Sequence, residues 1–170
     1  MEPITDTPTT TDAGTGKADL VKRFVAVFID GIISAVIAGI FSTFGALLSG
    51  IGLLLAAGYT LVRDGLTLDF ANGRSIGKHI MKLTPVRLDG GTMDINTSIR
   101  RNWPLALSSL ISAFGYFFGG MSLIVIGAAV VLIGQVAGLL GLVEGILVLT
   151  DNEGRRIGDK MAGTKVVDGV

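Results

Sequence analysis

Cysteine is absent from this 170-residue chain, which excludes disulfides, thiolate nucleophiles and zinc–thiolate sites. The single histidine, His79, excludes a histidine metal cluster within one chain. No metal site and no cofactor are expected. Charge is also scarce. Charged residues make up 16% of the chain, where soluble domains carry about 25%. Lysine plus arginine and aspartate plus glutamate both number 14, so overall charge gives no reason to expect a nucleic-acid partner. No nucleophile–base pair or phosphate loop is present. Gly73-Arg74-Ser75-Ile76-Gly77-Lys78 ends in Gly-Lys but lacks the P-loop spacing and the Ser/Thr that should follow. The chain does not read as an enzyme.

What is there is apolar. Mean hydropathy is +0.66, and the charges fall in blocks. The 32 residues between Asp30 and Arg63 carry none, nor does the run from Trp103 to Val143. A helix needs roughly 20 apolar residues to cross a hydrocarbon core, so each run has length for two crossings. The expected fold is an all-α membrane protein with four transmembrane helices in two hairpins. The spans are about 24–43, 46–62, 103–121 and 125–149, with turns near Gly45 and Gly120. One long helix plus an interfacial piece is the alternative for 103–149. Residues 1–19, acidic and rich in Thr, Pro and Gly, read as a disordered tail rather than a signal peptide.

Basic residues flank the runs and avoid the hairpin tips. Lys22 and Arg23 precede the first run, seven Lys or Arg lie in loop 63–102, and four lie in tail 150–170. Under the positive-inside rule these regions are all cytoplasmic. That requires each run to cross an even number of times. Length and charge therefore agree on both termini being cytoplasmic.

A motif occurs twice. Gly73-Arg74-Ser75-Ile76-Gly77-Lys78-His79-Ile80 is followed by Gly154-Arg155-Arg156-Ile157-Gly158-Asp159-Lys160-Met161. Each copy lies downstream of a basic pair and an apolar run, which suggests a parallel internal repeat. In the first copy, Ile76, Ile80 and Leu83 share helical spacing, and Arg74, Lys78 and Lys82 recur every four residues. This predicts a short amphipathic juxtamembrane helix with a basic face for lipid phosphates. Stretches 84–88, 92–95 and 164–167 read as short strands of a small cytoplasmic β element.

Asp30 and Glu144 lie inside the apolar runs, where an ionised carboxylate is costly. Either Asp30 pairs with a neighbouring arginine, with Arg63, Arg100 and Arg101 as candidates, or it binds a cation or proton, with Glu144 a second such group. Three small-residue stripes, Gly31/Ala35/Gly39, Gly134/Gly138 and Gly141/Gly145, are expected to pack helices closely. Pro104 falls near the start of the third span, where proline costs least.

Three segments in this order resemble the RDD family of bacterial and archaeal membrane proteins. They are Arg23-Phe24-Val25-Ala26-Val27-Phe28-Ile29-Asp30; Arg63-Asp64-Gly65 with Gly73-Arg74-Ser75-Ile76-Gly77-Lys78; and Asp159-Lys160-Met161-Ala162-Gly163-Thr164-Lys165-Val166-Val167. The resemblance marks Arg23, Asp30 and Asp159 as the residues behind the family name. It also implies a multi-pass protein of a prokaryotic membrane, with sodium–proton exchange linked to some members. Two features depart from the pattern. The second apolar run is long where many members have one helix, and Gly158 stands where a His usually precedes the terminal Asp. The functional expectation is an accessory or assembly subunit of a larger membrane complex, partnered by the bilayer and by copies of itself or other chains. The alternative is cation or proton transport by an oligomer through Asp30.

Overall fold

In the computed structural model, residues 17–67 and 73–169 are described. Of the expected disordered tail, residues 1–16 lie outside this range, as does the 68–72 part of the loop. Residues 17–19 are ordered, contrary to the expected boundary. Ala18 is buried with Ala26, Leu83 and Val166, Asp19 accepts from Lys22 N at 2.9 Å to cap the first helix, and Lys17 Nζ donates to the carbonyls of Leu149 and Asp151.

Four long helices form the body: α1 Leu20–Ser42, α2 Ala46–Val62, α4 Ile95–Gly120 and α5 Ile124–Thr150. Two short helices, α3 Ile76–Ile80 and α6 Ile157–Met161, each lead into a strand, β1 Leu83–Arg87 and β2 Thr164–Asp168. The second apolar run thus folds as two helices. Gly45 at φ +101° and Ser122 at φ +65° turn the two hairpins; glycine adopts the first conformation without a Cβ clash.

Helices α1 and α5 are long and apolar enough to cross a membrane, with mean hydropathies of 2.4 and 2.3. Helix α2 is apolar but has 17 residues, a length of about 25 Å. Ser108, Ser109, Ser112 and Tyr116 dilute α4. Neighbouring helices pack in the order α1–α2–α4–α5, while α1 and α5 scarcely touch. The row is therefore open between its first and last members.

Small residues face inward and large apolar ones outward, the reverse of a soluble bundle. On α2 the buried positions are Ser49, Gly50, Gly52, Ala56, Ala57 and Thr60. On α5, Val125, Leu132, Val136 and Leu142 are each at least 66% exposed. Between helices in lipid, close backbone approach substitutes for hydrophobic burial. Of the three expected stripes, Gly134 and Gly138 pack on Ser108 and Ser112 of α4, whereas Gly31, Gly39, Gly141 and Gly145 have nothing within 4 Å of an added Cβ. Ala35 is likewise exposed. The closest internal packing instead uses glycines outside those stripes, including Gly52 against α1 and Gly115 against Gly127.

Two expectations at the helix ends and strands are corrected. Asp94 caps α4, accepting from Thr97 N at 2.6 Å, so the helix starts at Ile95 and Pro104 lies in its interior. Its missing N–H leaves the i−4 backbone bond unmade there. Residues 92–94 form no strand, and Ile95 already belongs to α4. The partner of β1 is β2, antiparallel, with Pro85 opposite Val166. The middle loop and the C-terminal tail are thereby joined in one two-stranded sheet.

Candidate functional site

Nine charged residues are buried among the described residues, and all gather at one end of the helices. They are Arg23, Arg63, Lys78, Arg101 and Arg156 against Asp30, Asp64, Glu144 and Asp159. Five cations meet four carboxylates. Burying a charge is tolerated only when it is paired and hydrogen-bonded, and the local folding supplies the partners.

Asp30 projects from α1 toward α3. Its Oδ1 accepts from Gly77 N at 2.8 Å and from the Tyr59 hydroxyl at 3.2 Å, and its Oδ2 lies 3.4 Å from Arg63 Nη1. Of the two sequence readings, the pairing is the one seen, with Arg63 as partner. Gly77 is required here: a Cβ would land on the Ala26 carbonyl oxygen and 3.0 Å from Asp30 Cγ. Gly158 sits equally tightly against the Arg101 carbonyl, and its N–H donates to Glu144 Oε1 at 3.2 Å. Each short helix thus docks a glycine on a long helix and gives its N–H to a carboxylate, from α1 in one case and α5 in the other.

Asp64 follows α2 directly. It receives Lys78 Nζ at 2.6 and 2.9 Å, Ser75 N at 3.2 Å and Asn102 Nδ2 at 3.1 Å. Burial opposes its ionisation, but Lys78, Arg101 and Arg63 outweigh that and hold its carboxyl far below the usual carboxylate range. Asp159 is surrounded by three guanidiniums, with Arg101 Nε at 2.9 Å, Arg156 Nε at 3.4 Å and Arg23 Nη2 at 3.5 Å. Burial again opposes ionisation, and the nearby Arg101 and Arg156 lower its pKa to about 2. Arg156 Nε also lies 3.7 Å from Glu144.

The predicted residues Arg23, Asp30, Glu144 and Asp159 therefore meet in one cluster. The predicted basic face of Arg74, Lys78 and Lys82 does not form. Helix α3 has five residues, Arg74 and Lys82 flank it, and Lys78 turns inward to Asp64. Arg74 is half-buried with Nη1 3.4 Å from Thr84 Oγ1, and Lys82 is exposed at φ +53°. Sequence reasoning missed Asp64, Asn102 and Arg156 as members of this site, and it offered Arg101 only as a partner for Asp30, whereas Arg101 sits on Asp159 and Asp64. The signals were present: Asp64 sits inside the quoted Arg-Asp-Gly segment, and the two arginines stand in basic pairs.

A chain with outward apolar helices and its charges turned inward at one end is a helical membrane protein. Residues 17–163 match the RDD family, most of the chain, and the protein belongs to that family. No curated protein and no solved structure matches it.

Proposed function

We propose that the chain is a non-catalytic, four-crossing subunit that assembles with other membrane proteins or with copies of itself. It lies in a prokaryotic cytoplasmic membrane with both termini and the charged end on the cytoplasmic side. Four crossings are supported by two hairpins with uncharged tips, and the orientation by the basic flanks. A parallel repeat is supported by α3–β1 and α6–β2, two helix–strand units that carry the two motif copies.

The observation that carries the assembly reading is the occupancy of the acids. Among the described residues, Asp30, Asp64 and Asp159 are each held by cations and hydrogen bonds, so Asp30 is not left to load and release an ion. Glu144 is held less closely, by Gly158 N at 3.2 Å and Arg156 at 3.7 Å, and its Oε2 accepts no hydrogen bond. The open stripe at Gly31, Ala35 and Gly39 supplies a face for a partner helix. The rival reading, cation or proton exchange through Asp30, requires that carboxylate to give up Arg63, Tyr59 and Gly77 in each cycle.

The test is reconstitution with a cation-flux assay, paired with cross-linking in native membranes from Ala35→Cys in the cysteine-free chain. The expected result is no flux above empty vesicles and a specific adduct at position 35. Flux that depends on Asp30 would overturn the assembly reading.

A further inference from the structure

A cavity of about 530 Å³ lies in the open side between α1 and α5, a volume in the range of small-molecule sites. Its walls are apolar, with Phe24 and Val27 from α1, Leu105 from α4, and Leu142 and Val148 from α5; its polar lining is the three arginines Arg23, Arg101 and Arg156, with Lys78 and the carboxylates Asp30 and Glu144. These three arginines carry the unbalanced charge of the cluster. Lys78 is committed to Asp64 and Arg63 to Asp30, which leaves the three guanidiniums with two further carboxylates, Asp159 and Glu144, to balance them, although Arg101 Nε also lies 3.5 Å from Asp64. Arg101 is fully buried, and its two Nη groups have no hydrogen-bond acceptor among the described residues. Of the three, Arg23 and Arg156 keep side-chain exposures of 7% each and Arg101 none, so an entering group would reach those two before Arg101; Lys78, at 8%, is already held by Asp64.

We propose that this cavity holds an anionic membrane lipid. Its phosphate sits against Arg23 and Arg156 in the field of Arg101, and one acyl chain runs along the groove between α1 and α5. One negative charge balances the cluster's surplus, and a hydrocarbon tail matches the walls. Basic pockets between helices near the cytoplasmic face are a general mode of anionic-lipid recognition. Free phosphate would satisfy the arginines but leave the apolar groove unfilled. The proposal rests on the membrane reading of α1 and α5 and not on the assembly role. The stripe offered there to a partner helix begins at Gly31, farther along α1 than the Phe24 and Val27 that wall the cavity.

The experiment is native mass spectrometry of the full chain in detergent, with phosphatidylglycerol, phosphatidylcholine or inorganic phosphate added separately. Phosphatidylglycerol adducts should exceed phosphatidylcholine adducts roughly fivefold or more, the value of one surplus charge near a membrane surface. Arg23→Gln should remove the preference, while Lys22→Gln, whose partner is Asp168 outside the cavity, should keep it. Because Arg23 also serves the cluster, a second variant avoids it. Gly145 lines the groove with nothing within 4 Å of an added Cβ, so Gly145→Leu should fill the groove, keep the melting temperature and lose the lipid. Equal retention of the two lipids, phosphate binding as tight as the lipid, or undiminished lipid on Gly145→Leu would each overturn the proposal. So would a lipid-free dimer that Gly145→Leu dissociates, which would make a second copy the occupant.

Discussion

Replacing Gly77 with alanine tests how the short helices are docked. The added methyl would strike the Ala26 carbonyl oxygen and press on Asp30 Cγ at 3.0 Å. Backbone cannot yield as a side-chain tip can, so α3 must lift away. Overpacking of this kind costs about 1–3 kcal/mol. Lifting α3 also breaks the 2.8 Å bond from Gly77 N to the Asp30 carboxylate, a charged hydrogen bond contributing about 1.5–3 kcal/mol. Alanine returns about 1 kcal/mol of helix propensity. The net expectation is a loss of about 2–5 kcal/mol, or roughly 5–15 °C for a chain of this size. The assay is thermal unfolding in detergent, followed by Trp103 fluorescence. Gly31→Ala is the control, because nothing lies within 4 Å of its added Cβ; it should be neutral or stabilise by up to about 1 kcal/mol. If Gly77→Ala melts with the parent chain, or Gly31→Ala falls as far, the docking argument fails.

Asp159 gives a pH prediction. Its folded pKa of about 2 lies below the usual 3.8, so its contribution is full above about pH 4 and fades as pH falls toward 2. The amount is on the order of 2 kcal/mol, and Asp159→Asn should flatten that part of an acid-unfolding curve. Asp30→Asn should cost about 3–5 kcal/mol by leaving Arg63 buried without its carboxylate. The double variant Asp30→Asn with Arg63→Met should cost less than the two singles together, with a coupling of about 1 kcal/mol or more; strict additivity in denaturation midpoints would deny the pair. For topology, Thr43→Cys and Ser122→Cys should react with an impermeant maleimide from outside intact cells. Asp89→Cys and Glu153→Cys should react only after permeabilisation, and the opposite pattern would reverse the orientation.

The helices were legible because their signal is local and large. Runs without a single charge can be read residue by residue, and the Gly45 turn shows within its own few positions. Asp30 was legible as a residue needing a cation, and Arg63 was among the three candidates at its depth. The orientation of Lys78 was not legible. A spacing of four shows that Arg74, Lys78 and Lys82 could share a helix face, but not that α3 stops after five residues. Nor does it show that Asp64, fourteen positions earlier, pulls that lysine inward. The β1 partner was hidden for the same reason. The adjacent stretch 92–95 read as a nearby return strand, while the real partner lies beyond three further helices. Asp159 was visible as a motif residue, but its three-arginine shell draws on α1, α4 and the tail, which no local pattern links.

The pairing of Leu83–Arg87 with Thr164–Asp168 has a consequence for biogenesis. The first strand emerges from the ribosome long before the second, so it waits with an open edge while the second hairpin is made and inserted. Closure of the sheet thus has to wait until both hairpins of long helices have been made. A nascent chain halted ahead of Thr164 would have all four long helices but no clasp, and its unpaired strand would be a natural handle for quality control.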